Sequence, residues 1–173
     1  LRTLDLAGAA ATETRVRAAL EGSEIIHLAT HAVATEYARL GSGSFLAFAP
    51  DATNDGLLTV ADILGMPDGS IPAQLVVLSA CQTAVGPVRF VEGTMGLQRA
   101  FLAKGTESVL ASLWSVNDEA TQQLMKRFYS HWLDDTDDPT KAEALQRAQE
   151  DVRRMPGFED PVYWAGFQLI GLN

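Results

Sequence analysis

Apolar positions alternate along the chain between two kinds of pattern. Residues 24–30 (EIIHLAT) are a β-branched apolar run that predicts a strand stopping at His31. Residues 44–49 (SFLAFA) read as a second strand, and 74–79 (QLVVLS) and 107–114 (ESVLASLW) as two more. Unbroken apolar runs of this kind suit parallel strands buried on both faces. Residues 165–170 (AGFQLI) predict a last strand. Helical patterns lie between them. Residues 11–20 predict a helix with Thr12 as N-cap and Gly22 just past its end. Leu57 to Leu64 predicts a short helix capped by Thr59, after turn residues Asn54-Asp55-Gly56. Residues 94–103 carry Met95, Leu97, Phe101 and Leu102 at helical spacing, read as core, and Gly105 offers a stop. Asn117 or Asp118 can cap a helix running to about Leu133. Asp138 followed by Pro139 predicts the start of another, running to about Arg154 with its charges on a solvated face. Alternating strands and helices predict an α/β sandwich with a mostly parallel sheet.

Composition narrows the function classes. The 173 residues suit about one domain, and 47% hydrophobic with 20% charged is globular, not disordered or coiled coil. A net charge of −9 repels phosphate backbones and anionic lipid, so nucleic acid and membrane surfaces are not expected partners. No apolar run reaches the roughly 20 residues of a bilayer span. No signal peptide opens the chain at Leu1. The single cysteine, Cys81, excludes an intrachain disulfide, argues against a cysteine zinc site and suits a reducing, cytoplasmic setting.

Chemistry in open α/β sheets gathers at the carboxyl ends of strands. One strand here runs into His31 and Ala32, and another into Cys81 and Gln82, 50 residues after the histidine. A lone cysteine is usually a small buried hydrophobe. If the two strands are parallel neighbours, however, both side chains hang over one edge. The imidazole could then take the thiol proton and leave a thiolate, the nucleophilic form. Phosphate-binding and serine-hydrolase motifs are absent, and Gly93 and Gly96 read as room for the loop after the cysteine strand.

Four segments carry a family resemblance: EIIHLATHA, LVVLSACQTA, GTMGLQRAFLAKGTESVLASLWSVNDEAT and PVYWAGFQLIG. In this order they resemble the CHAT domain, a caspase-like domain often appended to tetratricopeptide repeats and placed in the clan of separase. The resemblance spans about residues 12 to 171. It implies a caspase-hemoglobinase-like α/β/α sandwich over residues 1–173 and a cysteine endopeptidase cleaving protein substrates. His31 would be the base and Cys81 the nucleophile, without a metal or other cofactor. Backbone N–H groups of Ala32 and Cys81 would hold the oxyanion, although the family usually has glycine where Ala32 stands. Domains of this family begin further upstream with at least one more strand. That implies a chain truncated at its N-terminus, part of a longer protein whose repeat or sensor domains regulate it.

Other candidates have plainer readings beside them. The segment around Asp118 resembles separase, which has an aspartate in the matching position that meets a basic substrate residue; Asp118 also reads as a helix N-cap with no role in binding. Arg89, in the expected loop Thr83 to Gly93, is a candidate self-cleavage point or an ordinary surface residue. His27 and His31 share no metal on a strand, where four residues span about 13 Å, so His27 reads as structural. His131 reads as a surface or packing residue, Asp134 to Asp138 as a solvated loop rather than a calcium site, and Trp114 and Trp164 as packing residues or pocket walls. Two other functions stay open: a catalytically silent scaffold of the same fold, and a cysteine hydrolase acting on a small amide.

Overall fold

Strands lacking polar alternation must be covered on both faces, and the strands at 75–78 and 108–112 are. The computed structural model describes residues 3–33, 44–79 and 87–172, with residues 33 and 87–94 described as backbone only. A 3-10 turn leads into α1 (Glu13–Leu20) and β1 (Ile25–Leu28). Three short strands follow, β2 (Ala32–Val33), β3 (Phe45–Ala47) and β4 (Leu57–Thr59), then α2 (Val60–Gly65) and β5 (Leu75–Leu78). Next come α3 (Pro87–Ala103), β6 (Ser108–Ser112), α4 (Asp118–Asp134), α5 (Lys141–Arg153), α6 (Pro161–Trp164) and β7 (Phe167–Gly171).

The central sheet has the order β1-β5-β6-β7. β1, β5 and β6 are parallel, with Ile25 opposite Leu75 and Val76 opposite Val109, and β7 runs antiparallel to β6. Every residue of β5 and β6 is buried. One sheet face places Val76, Leu78, Val109 and Ala111 against Val16 and Leu20 of α1, Ile63 of α2 and Phe101 of α3. The other places Leu75, Val77 and Leu110 against Leu124 and Phe128 of α4 and Leu145 of α5. This is the mixed α/β sandwich, with a mostly parallel sheet and flanking helices, that the periodicity predicts. Gly171 ends β7 at a φ of 107°, and a Cβ there would stand 2.2 Å from the Glu107 carbonyl oxygen, which requires glycine.

Several local expectations are corrected. The run 44–49 forms a strand outside the central sheet, in an antiparallel sheet of order β2-β3-β4. The expected helix from Leu57 begins only at Val60, because Leu57–Thr59 first pairs with β3; Thr59 remains its cap. Of the expected loop Thr83 to Gly93, residues 83–86 lie outside the described residues and the remainder belongs to α3. Pro87 at the first helical position fixes φ favourably, and Gly93 costs an interior turn only about 1 kcal/mol. Met95 leaves the expected core and stands 38% exposed, while Leu97 and Phe101 are buried.

Asp138 does not cap α5. Thr140 does, in a reciprocal capping box with Glu143, whereas Asp138 takes a left-handed φ of 48° before Pro139. The box satisfies two orphan groups at once, and a residue before proline is disfavoured in the helical region. Lys141 is not on a solvated face: it is 7% exposed. Its Nζ donates to the Gln74 carbonyl at 2.9 Å and to Ser108 Oγ at 2.7 Å, tying α5 to the starts of β5 and β6.

Candidate functional site

Parallel strands deliver their carboxyl ends to one edge, and at this edge the chemistry-bearing residues collect. β1 ends at Leu28 and β5 at Leu78, opposite each other, and the Ser79 N–H donates to the Leu28 carbonyl at 3.2 Å. Three residues past Leu28 stands His31, exposed. Two residues past Ser79 comes Cys81, which lies outside the described residues.

The His31 backbone is held by the small sheet. Its carbonyl accepts the Ala47 N–H at 2.9 Å, and Thr30 Oγ1 donates to the Ala47 carbonyl. Ala32 faces Leu46 in the β2–β3 register. In an antiparallel ladder, a bond from Ala47 to His31 makes the Ala32–Leu46 pair the non-hydrogen-bonded kind. The N–H of Ala32 is therefore directed away from β3. Ala32 itself is buried, so its methyl adds to packing at this turn.

On the α4 face of the sheet, His27 bridges two hydroxyls. Its Nδ1 lies 3.0 Å from Tyr129 Oη and its Nε2 3.2 Å from Ser79 Oγ. The ring keeps some surface open to solvent, yet the protein crowded around it desolvates the charged form and lowers its pKa. Desolvation likewise raises the Tyr129 pKa, so the phenol stays protonated. The structural reading of His27 holds, but its partners escaped the sequence reading. The available signals were Ser79, a polar residue closing an apolar strand, and Tyr129, a polar-tipped aromatic beside the core residue Phe128.

β6 ends nearby, and α4 follows it. The N-cap of α4 is Asn117, whose side chain accepts the Ala120 N–H at 2.9 Å. Asp118 is the first helical residue and is exposed. Trp114 packs on the α4–α5 face and donates its indole N–H to the Val162 carbonyl at 3.2 Å. Trp164 donates to the Glu159 carbonyl at 3.1 Å, with the Arg153 guanidinium 5.8 Å from its ring centroid. Arg89 lies within α3, where only the backbone is described.

The acidic connection is an ion-pair network. Arg147 reaches Asp135 at 3.0 Å and Asp137 at 2.8 Å, while His131 lies 2.9 Å from Asp151 and 3.1 Å from Asp135. Hydrogen bonding to Asp151, and then to Asp135, raises the His131 pKa against the opposing effect of burial. A raised folded-state pKa adds stability that is fully present below the unfolded value and is lost as pH rises through the folded one. His131→Gln should therefore lower the Tm at about pH 5.5 and change it much less near pH 8.5. Thermal melts of both proteins across that range check this; an equal loss at both ends would refute the linkage.

Among the described residues, no three His, Cys, Asp or Glu side chains come together as a metal site, and no helix is long and apolar enough to cross a membrane. The family model of the CHAT domain matches residues 5–172. Tetratricopeptide repeat protein 28 of Homo sapiens is 33% identical over 198 residues, and that of Mus musculus 35%. Each match covers 96% of this chain and 8% of the relative, so the chain spans less than a tenth of those proteins. By the family match and by these identities, the chain belongs to the CHAT domain family.

Proposed function

We propose that the chain is the CHAT domain of a longer protein and works as a cysteine endopeptidase, with Cys81 as nucleophile and His31 as base. The observation that carries this reading is the parallel pairing of β1 and β5, whose carboxyl ends lead to His31 and Cys81. In the reaction, His31 takes the Cys81 proton and the thiolate attacks the scissile carbonyl carbon. The N–H groups of Ala32 and Cys81 hold the resulting oxyanion; the outward direction of the Ala32 N–H from β3 supports its part. Collapse breaks the C–N bond, the imidazolium returns its proton to the leaving amine, and water then hydrolyses the thioester. Upstream repeat domains would supply regulation, in keeping with the names of the two relatives, and the reducing cytoplasm would keep Cys81 a thiol.

The test is a peptidyl electrophile followed by mass spectrometry. Wild-type protein should gain one adduct on Cys81, and His31→Ala should react far more slowly. No adduct, or one indifferent to His31, overturns the reading. The alternative, a catalytically silent protein-binding scaffold of the same fold, predicts no adduct. A small-amide hydrolase would label yet leave a peptide panel uncut.

Asp118 deepens the same reading. Asp118 is the first residue of α4 and is exposed at the helix start after β6, where its carboxylate would meet a basic substrate side chain. A charge-assisted bidentate pair of this sort contributes about 1.5–3 kcal/mol. Asp118→Ala should reduce cleavage after Arg or Lys by roughly 10- to 100-fold while Cys81 alkylation is unchanged. Wild-type cleavage equally fast after Leu or Met would remove this role from Asp118.

A further inference from the structure

We propose that His27, Ser79 and Tyr129 form a positioning network that sets the ends of β1 and β5 relative to each other. The proposal rests on the assignment of His31 and Cys81 as the dyad.

The geometry joins three elements through one ring. His27 lies on β1, four residues before His31, and is in register with Val77 of β5, four residues before Cys81. Its Nε2 meets Ser79 Oγ at 3.2 Å, at the last described residue of the β5 segment. Its Nδ1 meets Tyr129 Oη at 3.0 Å on α4, the helix that begins at Asp118. The backbone ladder already ties β1 to β5 as far as Ser79 N–H and the Leu28 carbonyl. The imidazole adds a side-chain tie at the same level and anchors it to the helix above.

The chemistry of the three groups suits this task. A neutral imidazole has one N–H and one lone pair, and each hydroxyl can donate or accept. Two polarities therefore satisfy the whole chain: Tyr129 donates and Ser79 accepts, or the reverse. The lowered pKa of His27 keeps the ring in this neutral, bridging form. Tilted contact between the rings, 5.9 Å between centroids, limits rotation of the imidazole. The core residue Phe128 holds Tyr129 in turn, with ring centroids 5.3 Å apart. Carbon side chains at positions 27 and 79 would still pack the sheet, but would not link β1, β5 and α4 directionally. Misplacement of a catalytic group by about 1 Å can lower rates a hundredfold, so such a link bears on the dyad. His27 touches no reacting atom in this account; it acts through the strand ends.

The experiment measures alkylation of Cys81 by iodoacetamide as a function of pH, in wild type, Tyr129→Phe, Ser79→Ala and His31→Ala. It needs no substrate and reads the thiolate fraction. Wild type should titrate below the ordinary thiol pKa of about 8.5, and His31→Ala should return it there. Tyr129→Phe and Ser79→Ala should each move the profile part of the way and slow alkylation at neutral pH by about three- to tenfold, the size of one neutral hydrogen bond. A purely structural role would lower the Tm without moving the profile. If Ser79→Ala does not fold, Tyr129→Phe, which removes one oxygen from a half-buried ring, still decides. Unchanged profiles in the hydroxyl variants, with His31→Ala still shifted, overturn the network and leave the dyad standing. A profile that His31→Ala does not move overturns the dyad, and the network with it.

Discussion

Cys81→Ala and His31→Ala should each abolish peptide hydrolysis while leaving the fold intact. His31 does not belong to the hydrophobic clusters on the two sheet faces, and Cys81→Ala removes only a sulfur atom. His31 is exposed, and its local backbone is held by the Ala47 N–H rather than by its imidazole. Truncating the side chain therefore removes no core contact and leaves that backbone bond in place. In turnover, by contrast, nucleophile and base act as a unit, so loss of either costs nearly as much as loss of both. A fall on the order of 10⁴- to 10⁶-fold in kcat is expected for each single variant, with the double variant no worse. Circular dichroism and thermal melts on the same preparations check that the fold survives. Residual activity above about 1% of wild type in Cys81→Ala would identify another nucleophile.

The fold was largely legible because its central strands are extreme. β5 and β6 are buried on both faces, and such strands read as unbroken apolar runs whose neighbours in sequence are helices. Caps were legible where one side chain decides, as at Thr12 and Thr59, because a hydroxyl at a helix start answers orphan N–H groups locally. The same logic failed at Asp138, where two candidate caps stand two residues apart and the Thr140–Glu143 box prevails. Of the small β2–β3–β4 sheet only β3 was legible, in the run 44–49; β2 and β4 are two or three residues long and stabilised by pairing across distant sequence, which leaves no periodicity. Lys141 misled for a related reason. A lysine in an amphipathic helix looks solvated, and only tertiary structure brings Gln74 and Ser108 to its ammonium.

At the candidate site, the strand-end placement of His31 could be read from EIIHLATHA because the apolar run stops there. Ala32 could be named as an oxyanion donor only through family resemblance. The direction of its N–H depends on pairing with Leu46, across a segment with no readable signal. The Ser79–His27–Tyr129 contacts join residues 52 and 102 positions apart. Spacing rules work within one element and are silent over such separations.

Phe128→Ala should be the most damaging of the core substitutions on the α4 face. Phe128 has no exposed surface and lies among Leu75, Val77, Leu110 and Leu124. It is also the middle ring of a short aromatic stack, 5.3 Å from Tyr129 and 5.8 Å from Trp132 between centroids. Truncation removes the transfer free energy of the ring and leaves a cavity, because the strand backbones on one side cannot collapse into it; such changes cost about 3–5 kcal/mol. Loss of the ring pairs adds about 0.5–1.5 kcal/mol for each well-oriented pair. Against a typical stability of about 5–15 kcal/mol, this removes a large share of what holds the chain folded. Urea unfolding should show a much lower midpoint at an unchanged slope, since the surface exposed on unfolding is nearly the same. Phe128→Leu retains most of the volume and should cost clearly less than the alanine variant, which separates filling of the site from aromatic pairing. The two substitutions also act differently on the site. Alanine frees Tyr129 to rotate away from His27, so Cys81 alkylation should slow even in the fraction that remains folded. An alanine variant that loses less than about 1 kcal/mol would mean that α4 does not pack on Val77 and Leu110 as described.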